Sequence, residues 1–293
     1  MILPFDLPPT AGNSVGPQWD GRNFVLGDLT TPVLEYSENF SGWSDDLTAL
    51  HEEAVGEGHP IDFASRRDAL VQIKKYMPGA KAVIMDIGCS SGHLIRDLVK
   101  SFPEALIIGA DVVKEPLYRL AKNFPGVPLI RFDLLRCPLP DQGVDVVVML
   151  NVLEHIEDDE QALKKVFNML KPGGALVIEV PASPHLYDAY DQELQHFRRY
   201  SAGELNSKLI RAGFKVNRKT HLGFVLFPAF AAVKLMKKYF SSGKNKAVVR
   251  EQAKSTSGNA WVKSALAFES RYLSGFQLPF GIRALAVAVK EGN

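Results

Sequence analysis

The stretch Val83-Ile84-Met85-Asp86-Ile87-Gly88-Cys89-Ser90-Ser91-Gly92-His93 constrains the fold of this chain more than any other. Ala82 to Asp86 are apolar and partly β-branched until a carboxylate closes the run, the pattern of a strand buried on both faces of a parallel sheet. The loop that follows removes side chains. Gly88 and Gly92 allow backbone angles and close approaches that a Cβ would forbid, and Leu94-Ile95-x-x-Leu98-Val99 returns to helical spacing. A ligand at this turn meets open backbone N–H groups at a helix N-terminus.

A second apolar run, Ala105 to Ala110, ends in Asp111. An acid at the tip of the second strand, about 20 residues past the loop, is placed to hold the hydroxyls of a nucleotide ribose. The glycine spacing says which nucleotide. Dinucleotide-binding loops read G-x-G-x-x-G, whereas the frame here is Asp86-x-Gly88-x-Ser90-x-Gly92, with His93 where the third dinucleotide glycine would fall.

That frame resembles the first motif of the class I S-adenosylmethionine (SAM) dependent methyltransferases, acidic-x-Gly-x-Gly-x-Gly, with Ser90 in the middle-glycine position. Further segments match in order. Leu129 to Leu134 reads as a third strand ending in an acid, Asp133; Asp145 to Asn151 reads as a fourth and runs into Val152-Leu153-Glu154-His155-Ile156. Leu170-Lys171-Pro172-Gly173-Gly174 stops a helix, as proline and paired glycines do, and opens a fifth strand, Ala175 to Val180. The likeness covers roughly residues 80–220 and the last strand, about half the chain.

The resemblance implies an α/β fold: a Rossmann-like, seven-stranded, mostly parallel sheet with an antiparallel last strand, helices on both faces, an N-terminal helical lid and an insertion before the last strand. On this reading residues 1–78 are the extension and lid, 79–222 the SAM-binding core, 223–280 a helical insertion and 281–293 the last strand. It also implies cofactor contacts from Asp86, Gly88, Ser90, Gly92, Asp111, Val112, Asp133, Leu134 and Asn151, with Asp133 on the adenine amino group. Trp43, His51 and His59 would face the acceptor from the lid, with ordinary packing of a covering helix as the alternative.

Outside the core, residues 1–34 are rich in Pro and Gly and read as an accessory segment, with Phe24 to Leu29 a short hairpin arm. Residues 44–53 carry a cap-like serine and early acids, which suits a short helix, and Asp62 reads as the cap of a second helix running to Tyr76. Ser201 and Glu204 form a capping-box start for a helix ending near Gly213, and Phe214 to Thr220 alternates as an exposed sixth strand, paired with Arg283 to Val289.

The most polar segment is Pro181 to Tyr200, just past the C-terminal end of the fifth strand, where open α/β sheets place ligands. Tyr187, Tyr190, Arg198, Arg199 and Tyr200 are candidate acceptor contacts, joined by Trp43; a salt-bridged loop is the alternative. For a proton-accepting role on a hydroxyl acceptor, His196 ranks first and His155 second, because imidazole titrates near neutrality.

Residues 223–236 are strongly apolar and followed by Lys237-Lys238. The run is too short for a bilayer span of about 20 residues, yet suits peripheral membrane contact through 223–238 or burial against the core or a partner. Residues 241–260 have few apolar groups and read as a linker.

With 34 basic and 33 acidic residues the net charge is +1, so no global field recruits nucleic acid. The two cysteines, Cys89 and Cys137, lie on different loops without metal-ligand spacing, so no metal site is expected and a reduced, cytoplasmic setting, with membrane association open, is the simplest reading. The N-terminus has no basic region ahead of an apolar stretch and does not read as a signal peptide.

The function expected is methyl transfer from SAM to a small-molecule or glycan- or lipid-linked acceptor. A non-catalytic SAM-fold scaffold at a membrane surface and a nicotinamide oxidoreductase stay as alternatives.

Overall fold

The computed structural model describes residues 2–36, 44–48, 59–240, 260–273 and 275–292. Trp43 and His51, both singled out above, lie outside them, as does the stretch 241–259.

The strands are β1 Gln18–Trp19, β2 Phe24–Leu26, β3 Leu29–Thr31, β4 Val33–Glu35, β5 Val83–Ile87, β6 Leu106–Asp111, β7 Leu129–Arg131, β8 Val144–Leu150, β9 Leu170–Pro181, β10 Lys215–Leu222 and β11 Arg283–Val289. The helices are α1 Pro60–Tyr76, α2 His93–Ser101, α3 Glu115–Asn123, α4 Asp159–Met169, α5 Ala189–Glu193, α6 Ala202–Arg211, α7 Phe227–Phe240 and α8 Ala260–Tyr272. Eight strands form the main sheet in the order β10-β11-β9-β8-β5-β6-β7-β4, and β11 runs antiparallel to both neighbours.

The central strands are mostly apolar because both faces are covered, and each carries an acid, Asp86, Asp111, Asp145 or Glu179. Along β5, Val83, Met85 and Ile87 enter one core layer with Leu163, Val166 and Leu209 of α4 and α6. Ile84 enters the opposite layer with Ile73, Ile95, Leu98 and Leu120 of α1, α2 and α3. The Pro172-Gly173-Gly174 phrase sits inside β9 as an irregularity: pairing with β8 jumps from Val144↔Leu170 to Val146↔Ala175. Leu170 therefore already belongs to the strand.

Two expectations for the N-terminal part need correction. Residues 1–34 are no accessory: Trp19 and Phe24 are buried in the core with ring centroids 4.7 Å apart, and Val33 to Glu35 add an eighth strand, parallel to β7. The edge is held by the ion pair from Arg131 Nη1 to Glu35 Oε2 at 2.8 Å and by the Tyr118 hydroxyl, which donates to Glu35 Oε1. Nor does Asp62 cap α1. The helix starts at Pro60, and Asp62 sits in its first turn, where it pairs with Arg283. α1 lies on the sheet face through Ala69 and Ile73, and its Ile61 and Ala64 pack against Leu222, Leu226, Leu266 and Leu285.

The insertion helix α7 is turned the opposite way from its composition. Lys234 is only 1% exposed, whereas Met236 is 61% exposed, and Val233 and Leu235 are also exposed. Lys234 Nζ contacts Asp188 Oδ1 at 2.7 Å and Asp191 Oδ2 at 3.0 Å. A buried ammonium must be paired, so this pairing sets the helix's rotation. α8 completes the support: the Glu269 carboxylate accepts from the backbone N–H of Gly223 and Val225. Among the described residues, no helix is long and apolar enough to cross a membrane.

Candidate functional site

The C-terminal ends of β5, β6, β7, β8 and β9 bring the candidate residues to one edge of the sheet. Gly88 turns the chain out of β5 with φ of +79°, and a Cβ there would stand 2.3 Å from Val152 Cγ2. Ser90, in the middle position of the motif, adopts φ of +44°, a left-handed backbone that glycine enters freely and serine only at a cost. The loop thus keeps the shape of the glycine pattern. Gly92 is the N-cap of α2 and, lacking a side chain, supplies no side-chain cap to that helix.

Two carboxylates frame the loop. Asp111 Oδ2 accepts from Ser90 N–H at 2.7 Å and Oδ1 from Val112 N–H at 2.7 Å, so the acid at the tip of β6 also holds the loop to the sheet. Burial raises its pKa, opposed by those backbone donors. Asp86 is more deeply buried, and its Oδ2 has no hydrogen-bond partner. Desolvation, helped by the nearby Asp111 charge, pushes its carboxyl up to about 8. A buried carboxylate oxygen without a partner, beside a helix N-terminus, fits a ligand that carries both cationic and anionic groups, as the amino-acid end of SAM does.

Asp133 caps a short helical turn, Leu134–Arg136, and accepts from Leu135 N–H at 2.9 Å while staying half-buried. Asn151 adopts φ of +55° at the end of β8, and its side-chain amide donates to Glu179 at 3.3 Å. Glu179 is itself buried with Arg283 and Ser65.

The segment after β9 folds back onto the turn Leu153–His155. Phe197 N–H donates to the Glu154 carbonyl at 2.8 Å, and the rings of His155 and His196 meet edge to face with centroids 4.6 Å apart. The two histidines singled out from sequence are therefore neighbours. His196 Nδ1 lies 2.9 Å from Asp191 Oδ1.

Asp191 is the hub of this region. Burial opposes its ionisation, but the bond to His196 and the charges of Arg199 and Lys234 hold its carboxyl well below the usual range. Burial lowers the His196 pKa, so the ring is neutral near pH 7. Because the ionised Asp191 requires a donor, Nδ1 carries the proton and Nε2 the lone pair.

Three of the expected acceptor contacts are spent internally, which corrects their roles. Arg199 is buried, with Nε on Asp191 and Nη1 on the Ala182 carbonyl. Tyr200 is fully buried and donates to Asp159 at 2.8 Å. Arg198 bonds the Glu157 carbonyl and pairs with Asp159. The composition of this run reflects a salt-bridged scaffold. Tyr187 donates to the His196 carbonyl at 2.7 Å and so also fixes that residue, while Tyr190 lies against Lys234.

Sequence reasoning missed two residues. Lys234 was signalled by a lone charge in the middle of an apolar helical run. Glu154 gave no signal, since its importance lies in burial: it is 0% exposed, neither carboxylate oxygen has a hydrogen-bond partner, and desolvation lifts it to about 8.

Residues 85–178 match the methyltransferase domain family. A protein of Mycolicibacterium smegmatis named "Probable S-adenosylmethionine-dependent methyltransferase" is 32% identical over 138 residues, covering 45% of this chain and 52% of that protein. The chain thus spans about half the length of the curated relatives it matches. Among solved structures, phosphoethanolamine N-methyltransferase 2 of Haemonchus contortus, in complex with S-adenosylhomocysteine, superposes with a TM-score of 0.55 at 16% identity, over 83% of this chain and 57% of that one. The 4+2 cyclase SpnF gives the same TM-score of 0.55 at 17% identity, over 84% and 92%. At these identities the structural likeness speaks for the fold alone.

Proposed function

We propose that this chain, whose core is a class I SAM-dependent methyltransferase domain, transfers the methyl group of SAM to an oxygen-bearing small-molecule or glycan- or lipid-linked acceptor. The observation that carries the proposal is the loop Gly88–Gly92, left-handed at Gly88, Ser90 and Gly92, held by Asp111 and flanked by the orphan carboxylate of Asp86.

On this reading the N-terminus of α2 meets the carboxylate of SAM, Asp86 meets its ammonium, Asp111 the ribose hydroxyls and Asp133 the adenine amino group. Val112 and Leu134, next to those acids, line the adenosine. SAM supplies an electrophilic methyl on a sulfonium. The protein's part is to align the acceptor and exclude water, which contributes up to about 7–11 kcal/mol through effective molarity. His196, neutral and with Nε2 as its acceptor nitrogen, would take a proton from an acceptor hydroxyl, with His155 beside it. Asp191, Arg199 and Tyr187 act as positioning residues through His196.

Calorimetric titration with SAM and with NAD tests the reading against its rivals. Saturable SAM binding without NAD binding is expected; NAD binding alone would overturn it in favour of an oxidoreductase. His196→Ala should lower turnover while sparing SAM affinity, and a SAM-binding protein that methylates nothing would be the scaffold.

The same reading gives α7 a lipid surface as its outer contact, supported by exposed Val233, Leu235 and Met236 and by the adjoining Lys237 and Lys238. Phe227 stacks on Phe280 at 5.3 Å, so substitutions there would disturb packing. Met236→Glu is the cleaner probe: it should abolish co-sedimentation with vesicles containing anionic lipid, and a parent protein that never sediments would remove the lipid contact.

A further inference from the structure

We infer that Glu154, His155 and His196 form a binding site for one divalent transition-metal ion, set where the segment after β9 folds back onto the turn Leu153–His155. One ligand atom from each residue, a carboxylate oxygen or a ring nitrogen, lies within 4.8 Å of the others. Ligands about 2.0–2.2 Å from a common ion stand roughly 3–3.5 Å from one another, so shifts of about 1 Å in side chains would close the site.

Three independent features point the same way. The Glu154 carboxylate is fully buried and has no hydrogen-bond donor at either oxygen. Leaving such a group without a partner is costly, and a cation is the partner whose charge offsets its desolvation. His196 is held as metal-ligating histidines are, with Nδ1 bonded to a carboxylate, Asp191, which leaves Nε2 as its ligand atom. Phe197 N–H on the Glu154 carbonyl then ties the two segments together, and Tyr187 on the His196 carbonyl fixes the second segment on itself.

Two imidazoles and one carboxylate suit zinc, iron(II), manganese(II) or cobalt(II) and disfavour calcium and magnesium, which prefer all-oxygen sets. Three protein ligands leave coordination positions open. Those positions would take water, or an oxygen of the acceptor if the methyl-transfer reading holds, and only this last clause rests on that reading. With an ion bound, His196 serves as ligand and no longer as base.

The test uses the full chain, stripped with chelator and titrated with Co(II) while visible d–d absorption is followed, and with Zn(II) by calorimetry. One ion per chain with a nitrogen-containing cobalt spectrum is expected. Glu154→Gln and His196→Asn should each weaken binding at least tenfold, with circular dichroism reporting whether the variants fold. The parent spectrum stands without them. No cobalt spectrum and no zinc heat in the parent, or equal affinity in folded variants, would overturn the site. SAM affinity measured on the same samples separates the two claims: SAM binding without metal binding defeats the metal site alone, and metal binding without SAM binding defeats the methyltransferase reading alone.

Discussion

Replacing Asp111 with alanine removes the acceptor of two short bonds, from Ser90 N–H and Val112 N–H at 2.7 Å each, and the carboxylate proposed to hold the ribose. Hydrogen bonds to a charged acceptor contribute about 1.5–3 kcal/mol each. Two ribose hydroxyls on one carboxylate therefore correspond to about 3–6 kcal/mol, reduced because burial already disfavours the ionised acid. Even the lower figure exceeds 100-fold in affinity at about 1.4 kcal/mol per tenfold. Loss of loop order would act in the same direction, so Asp111→Asn serves as the partner variant. Its carbonyl oxygen can keep one backbone donor in place while the charge is gone. Calorimetry with SAM at pH 7.5, beside a thermal melt, reads both effects. SAM affinity below detection for alanine and an intermediate value for asparagine are expected. A folded Asp111→Ala protein that binds SAM within about threefold of the parent would refute the ribose role.

The Asp86 carboxyl, at about 8 against an ordinary 3.8, stays protonated in the folded chain where the unfolded chain has released its proton. Folded stability should therefore fall as pH rises between those values, with a ceiling of about 6 kcal/mol at 1.36 kcal/mol per pH unit. Asp86→Asn lacks that slope, so its melting temperature should exceed the parent's at pH 8 and converge with it near pH 4; parallel curves would contradict the assignment. Lys234→Met keeps the buried stem but strips Asp188 and Asp191 of a cation. Breaking a buried pair costs about 3–5 kcal/mol, tempered here by His196 and Arg199, and an unchanged urea midpoint would show that α7 is not tethered through this lysine. Ser90→Gly relieves a left-handed φ worth about 1 kcal/mol and should raise the melting temperature slightly at unchanged SAM affinity; a clear fall in affinity would instead give the hydroxyl a part in binding.

The parts of the molecule legible in the sequence are those fixed by local pattern. The apolar runs of β5, β6, β8 and β9, the loop at Gly88–Gly92 and the serine cap of α6 each follow from neighbouring residues, and the structure contains them all. What escaped depends on contacts between distant residues. β4 is three residues long and is held by Arg131 and Tyr118, nearly a hundred positions away. Composition marked Pro181 to Tyr200 as polar, but which of its groups face a ligand is decided by partners on other elements, and Asp159 and Asp191 take Tyr200, Arg198 and Arg199 inward. The apolar run of the insertion suggested burial of its hydrophobic groups, yet two acids on α5 and its cap rotate Lys234 inside. Glu154 reads as one more residue of a strand-end turn until its burial is known.

Methyl transfer from SAM can be measured directly on this chain. The direct measurement is incubation of the purified protein with methyl-labelled SAM and fractionated cell extract, with S-adenosylhomocysteine and labelled product quantified together and Asp111→Ala run beside the parent. Label is expected in a discrete acceptor, matched mole for mole by S-adenosylhomocysteine and lost in the variant. SAM consumed at the same rate by parent and variant, or no label transferred to any fraction by a parent that binds SAM, would contradict it.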